Sequence, residues 1–265
     1  MQIFFFINPF VERICMSGHS HWATIKHTKG AADAKRGKMF SKMSKNIILA
    51  VRDGGPDPAT NSKLRDAIDK ARGVDMPKAN IERTIKKASG EEGADKLLEL
   101  TYEGYGPGGT AVMVDVVTDN RNRTASELRK IFDNSGGKMG EAGCVGFMFD
   151  KKSFFTVPVS AVDEEKLMNI ILEAEAENME KVEEFYEITG SPINFHKIKS
   201  ALEASELKAE VAEIIQMPKN TVTVTEENAK KVLNLIAKIE DHDDVQNVFT
   251  NSDIAPEIMA KFAEE

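Results

Sequence analysis

The hydrophobic period changes at Leu98, and that change limits the layers this chain can build. Up to Gly90 the apolar residues recur every three or four positions, whereas from Leu98 stretches that alternate or run continuously are set between helical ones. A period of 3.6 collects side chains on one stripe of a helix, and a period of 2 collects them on one face of a strand. A chain holding both patterns in separate blocks is expected to be multidomain α+β.

In the helical block, Phe40, Met43, Ile47 and Val51 form an apolar stripe that ends at Gly54-Gly55-Pro56. Lys35, Lys38, Lys42 and Lys45 follow the same period on another face, so one helix is expected to carry a core side and a lysine ridge. Gly37 costs about 1 kcal/mol relative to alanine there and marks a possible break. A second helix is predicted from Pro58, taken as the first helical residue, with Leu64, Ile68 and Ala71 inward. A third is predicted from Pro77, with Ile81, Ile85 and Ala88 inward. The short turn Gly73 to Met76 resembles that of a helix-turn-helix and would put Lys78, Asn80 and Arg83 on a reading helix, although short turns also join helices with no such role.

In the second block, Leu98 to Glu103 and Thr110 to Thr118 read as strands flanking Gly104 to Gly109 (GYGPGG), a hairpin connection. Thr124-x-x-Glu127 suggests a capping box opening a helix with Ala125, Leu128 and Phe132 inward. Residues 145 to 215 then read strand, helix, strand, strand, helix, strand. The two middle strands are placed at 181–189 and 193–195, and Lys151-Lys152 is taken to interrupt the first. This β-α-β-β-α-β order is ferredoxin-like. A strand at 221–224, a helix at 226–239 and a strand at 245–250 would complete the sheet begun at Leu98. The expected organisation is an extension at 1–15, disordered or not native, and a basic three-helix domain at 16–93. A split α/β domain at 94–144 plus 220–255 follows, with the ferredoxin-like domain at 145–219 inserted in it and a tail at 256–265.

Charge separates along the same lines. The 265 residues carry a formal net charge of −8, yet residues 16–90 hold 16 Lys or Arg against 7 Asp or Glu. Ser17 to Arg52 alone has eight Lys or Arg and a single acid, Asp33. A basic end on an acidic body points to phosphate. Lys26, Lys29, Lys35, Arg36, Lys38, Lys42 and Lys45 are the candidate backbone-phosphate contacts, with Trp22 as a base-stacking or core residue. Arg121 and Arg123, at the start of a helix, are secondary phosphate candidates.

Other motifs point away from catalysis and cofactors. His19, His21 and His27 lack the further ligands of a tetrahedral metal site, so no metal is expected. GYGPGGT lacks the lysine and the strand-loop-helix context of a phosphate-binding loop. Cys15 and Cys144 form no paired spacing, and no nucleophile-base arrangement can be assembled. Glu240 to Asp244 (EDHDD) falls at a helix end, where acids oppose the macrodipole, and is read as a connecting turn or a surface that meets a basic partner. No stretch suits a membrane span. A non-enzymatic, cytoplasmic protein without cofactor or small-molecule substrate is expected.

Four blocks are distinctive together: SGHSHWATIKHTKGAADAKRGKMFSKMSKNI from Ser17, GGPDPATNSKLRDAIDKARGVDMPKANIERTIKKASG, YEGYGPGGTAVMVDVVTDNRNRTASELRKIF, and EDHDDVQNVFTN. They resemble the YebC/PmpR family over about Met16 to Asp253; the segment before Met16 and Cys144, where relatives often carry serine, depart from it. The resemblance implies a helical domain followed by two α+β domains, one inserted in the other. It also implies a role in gene expression, as a DNA-binding transcriptional regulator or, as in a mitochondrial translational activator of the family, at the ribosome on RNA.

Overall fold

The structure, a computed structural model, describes residues 33–90, 97–255 and 257–259. Helix α1 (Asp33–Gly54) runs unbroken through Gly37. Its stripe behaves as the periodicity requires: Ile47, Ala50 and Val51 are buried, and Phe40 and Met43 pack on the same cluster. Helix α2 (Ser62–Gly73) adds Leu64, Ala67, Ile68 and Ala71, and helix α3 (Lys78–Ala88) adds Ile81 and Ala88.

The start of α2 differs from expectation. Pro58 lies in the preceding turn, and the helix is capped by Asn61, whose Oδ1 accepts from the Leu64 N–H at 3.0 Å. Its Nδ2 also donates to the Ala50 and Gly55 carbonyls at 2.7 and 2.8 Å. One buried amide therefore caps one helix and satisfies the end of another, which outweighs the preset φ of a proline. Gly54 makes room for it, since a Cβ there would lie 2.8 Å from the Asn61 side chain.

Strands β1 (Leu98–Tyr105) and β2 (Ala111–Thr118) form the expected hairpin, its turn closed by Gly108 and Gly109 at φ +74° and +77°. Helix α4 (Arg121–Asn134) and the short strand β3 (Lys138–Met139) come next. The expected capping box does not form. Asn120 caps α4 by accepting from the Arg123 N–H at 3.1 Å, which places Thr124 inside the helix and buries it.

The second sheet is built from β4 (Phe149–Pro158), α5 (Glu164–Glu173), β5 (Ala176–Val182), β6 (Phe185–Gly190), α6 (Phe195–Ala204) and β7 (Val211–Pro218). Its strand order β5-β6-β4-β7, antiparallel throughout, is that of the ferredoxin-like fold. Lys151 and Lys152 do not interrupt β4, because both pair in register with β7. The two middle strands lie at 176–182 and 185–190, with Glu183 at φ +51° in the turn between them. Edge strand β5 is mostly polar and hides its period, while Ile193, taken for a strand residue, is 90% exposed on a helical turn.

The chain then returns through β8 (Val222–Thr223), α7 (Glu226–Glu240), β9 (Val245–Thr250) and β10 (Ser252–Asp253). Strand β9 pairs antiparallel with β2, so the first sheet has the order β3-β1-β2-β9 and is completed only after the second. Helices α4 and α7 cover one face through Leu128, Phe132, Val232, Leu235, Ile236 and Ile239. On the other face Ala111 and Met113 meet Val145, Phe149 and Phe249. Burial on both faces explains why β2 reads as a continuous apolar run rather than an alternation.

The buried apolar cluster of the helical unit is drawn wholly from residues 40–88, and those of the sheets from residues beyond 100. Between them run polar contacts. Lys199 reaches Asp66 at 2.8 Å, Lys70 reaches Glu213 at 3.1 Å, and Arg52 reaches Glu99 at 3.1 Å. No helix among the described residues is long and apolar enough to cross a membrane.

Candidate nucleic-acid interface

The basic faces of α1 and α3 meet different surroundings. On α1 the lysine ridge faces the end of α7. Lys38 Nζ donates to Asp241 Oδ2 at 2.9 Å and to the Asp241 carbonyl at 3.1 Å. Lys42 Nζ donates to the Glu240 carbonyl. Lys45 Nζ donates to Asp244 Oδ1 at 2.6 Å and to the Asp243 carbonyl at 3.0 Å. The C-terminal carbonyls of a helix carry its negative pole, so lysines suit that position as well as they suit carboxylates.

Asp244 is the centre of this contact. Its side chain is only 5% exposed. While Oδ1 takes Lys45, Oδ2 accepts from the Arg123 guanidinium at 2.8 Å and the Thr124 hydroxyl at 2.7 Å. Burial alone would raise the carboxyl pKa, but the bonds from Lys45, Arg123 and Thr124 outweigh it and hold the group far below the usual carboxylate range. His242 supports the turn: its Nδ1 accepts from the Asp244 N–H at 3.1 Å, so its Nε2–H donates to Glu127 Oε2 at 2.8 Å. The EDHDD segment is thus a connecting turn, as read from sequence, and the basic surface it meets belongs to its own chain.

The outer face of α3 is different. Lys78, Arg83, Lys86 and Lys87 are all exposed, opposite the buried Ile81 and Ala88. Lys78 lies 3.6 Å from Glu82 in a solvent-exposed pair, and Arg83 donates to Asn80 Oδ1 at 3.1 Å. Both contacts are local to the helix. Lys86 and Lys87 extend the face predicted from Lys78 and Arg83; their spacing along the helix was the signal for them.

The remaining candidates divide. Trp22, Lys26 and Lys29 lie outside the described residues, as do His19, His21 and His27. Lys35 lies in α1 within a stretch whose side chains are not described, and Arg36 is exposed beside it. Arg121 is exposed in the first turn of α4, whereas Arg123 spans Asp119 and Asp244 and belongs to the acidic turn. The amide of Arg123 is already taken by the Asn120 side chain.

Two further groups are structural. The Glu103 carboxylate accepts from the backbone N–H groups of Gly143, Val145 and Gly146 at 2.7 to 2.8 Å. Burial pushes its pKa up, and the three amides bring it below the ordinary value. It fixes the loop leading into β4, and nothing in the sequence singled it out. Burial, with Glu103 nearby, pushes the Cys144 thiol up, opposite to what a reactive cysteine needs. Among the described residues no three His, Cys, Asp or Glu are grouped to hold a metal.

Comparison with known proteins matches this arrangement along nearly its whole length. The profile of the TACO1/YebC protein N-terminal domain matches residues 20–91, and that of the TACO1/YebC second and third domain matches residues 97–252. A probable transcriptional regulatory protein of Citrifermentans bemidjiense is 52% identical over 246 residues, 93% of this chain and 99% of the relative. One of the same description from Dictyoglomus thermophilum is 51% identical, covering 92% of this chain and 98% of the relative. The crystal structure of a conserved hypothetical protein from Aquifex aeolicus superposes with a TM-score of 0.78 at 46% identity, over 88% of this chain and 97% of that one.

Proposed function

Because the chain belongs to the TACO1/YebC family, many of whose members are named as probable transcriptional regulators, we propose that it is a regulator of gene expression that binds duplex DNA through its N-terminal helical unit. The observation that carries this reading is the outer face of α3. Four cations stand on the solvent side of a helix whose other side is core, following a short turn from α2. The lysine ridge of α1 and the basic segment before it would add phosphate contacts, giving affinity that falls steeply with salt. The protein acts by binding, in the cytoplasm, and needs no cofactor.

The test is titration of duplex DNA of varied sequence with the full chain at several salt concentrations, alongside ribosome co-sedimentation from lysate. Sequence-dependent duplex binding, reduced at least tenfold by K78A/R83A/K86A/K87A, is the expected result. Co-sedimentation with ribosomes and no preference among duplexes would move the same cations onto ribosomal RNA, and the protein into translation.

A further inference from the structure

We propose that the acidic turn 240–244 is an intramolecular competitor for nucleic acid: it occupies the lysine ridge of α1 in place of phosphate, and Lys38, Lys42 and Lys45 bind a nucleic-acid backbone only when it is displaced. This rests on the nucleic-acid reading above and adds a regulatory contact to it.

The pairing is specific in its geometry. Three lysines in helical register meet the carboxylates of Asp241 and Asp244 and the carbonyls of Glu240, Asp241 and Asp243. These are anionic or negatively polarised oxygens spaced along one ridge, which is what a phosphate backbone also offers. The contact joins residues about two hundred positions apart in sequence, so it is a tertiary choice rather than a local helix pair.

It is also built to separate. When Lys45 leaves, Asp244 keeps Arg123 and Thr124 on Oδ2 and so is not left as a bare buried charge. The Lys38–Asp241 pair is half-exposed, with relative accessibilities of 41% and 64%, and such pairs hold weakly. The hydrophobic cluster of the helical unit is complete within residues 40–88, so parting the two surfaces leaves that cluster intact. The other named links across this boundary, Lys199–Asp66, Lys70–Glu213 and Arg52–Glu99, are ionic, and salt or a polyanion weakens them, the more exposed Lys70–Glu213 and Arg52–Glu99 pairs most.

The deciding experiment uses the full chain and a fluorescein-labelled mixed-sequence DNA duplex, with an RNA hairpin in parallel. E240Q/D241N/D243N removes the acidic field while sparing Asp244. A control, E165Q/E173Q/E184Q, neutralises as many exposed acids on the second sheet unit. The acidic-turn variant should bind about tenfold tighter than the control at fixed salt, with a steeper slope of log K against log salt, because a turn without three of its carboxylates yields the ridge more readily to phosphate, and the lysines then take part in counterion release. Adding K38A/K42A/K45A should abolish the gain. Independently, K38C/D241C in a C15S/C144S background, joined by a short bifunctional methanethiosulfonate, should lose affinity when closed and regain it on reduction. Equal affinities and slopes for the two acid variants, or unchanged binding when the link is closed, would overturn the competitor and leave the nucleic-acid reading standing. Binding by none of the proteins, even at low salt, would overturn both.

Discussion

The basic faces of α1 and α3 look alike in sequence and differ in the folded chain. Each sets cations at helical spacing against an apolar stripe. On α3 the cations project into solvent, while on α1 they close against an acidic turn contributed by the far end of the chain. The difference teaches that periodicity identifies which side of a helix is polar but says nothing about what that side meets. A lysine ridge counted as free charge is here already neutralised in part.

The comparison can be broken most sharply at Asp244. Replacing it with alanine removes the one buried carboxylate shared by Lys45, Arg123 and the Thr124 hydroxyl, and should cost about 3 kcal/mol, read as a loss of melting temperature. No residue of the α3 face should cost anything comparable. Lys45→Ala comes next, at about 1 kcal/mol, since Oδ1 loses its cation while Oδ2 keeps Arg123 and Thr124. Lys86→Ala should stay within about 0.5 kcal/mol, the range of an exposed surface change. Equal effects in denaturant melts would mean that the α1 contact is not formed in solution.

Acid titration sharpens the contrast further. The Asp244 carboxyl is held below its unfolded pKa of about 3.9, so the stability it contributes is present above that value and is lost as pH falls through the lower folded one. Stability measured between pH 6 and 2, a range set by that unfolded value, should decline below about 4, and the decline should be shallower in Asp244→Asn. The smallest effect is expected for Lys38→Ala, a few tenths of a kcal/mol that vanishes at high salt, because its partner is exposed.

Much of this fold was legible from residues alone, and the failures have physical causes. The three helices, the GYGPGG hairpin and the β-α-β-β-α-β order followed from period and turn chemistry. Pro58 and Thr124 were mistaken for helix starts because Asn61 and Asn120 cap better, and what makes Asn61 decisive is a tertiary bond to α1. Strand β5 was misplaced because an edge strand facing water need not alternate. Charge and spacing singled out Lys78, Arg83 and the α1 ridge as polar helix faces. Neither the ridge's pairing with residues 240–244 nor the Glu103 loop anchor was visible, since both join groups remote in sequence.

Strand β9 sits beside β2 with the whole second sheet intervening in the chain. The inserted sheet can assemble from near neighbours, but the first sheet must wait for a long-range closure. During synthesis β2 therefore stands with an open, strongly apolar edge until residues 245–250 arrive, an interval in which it is exposed to mispairing. The acidic turn immediately precedes β9, so the same event that closes the sheet delivers Asp244 to Lys45. A nascent chain that has emerged only as far as the second sheet would present a bare lysine ridge, and completing β9 would change its electrostatic character in one step.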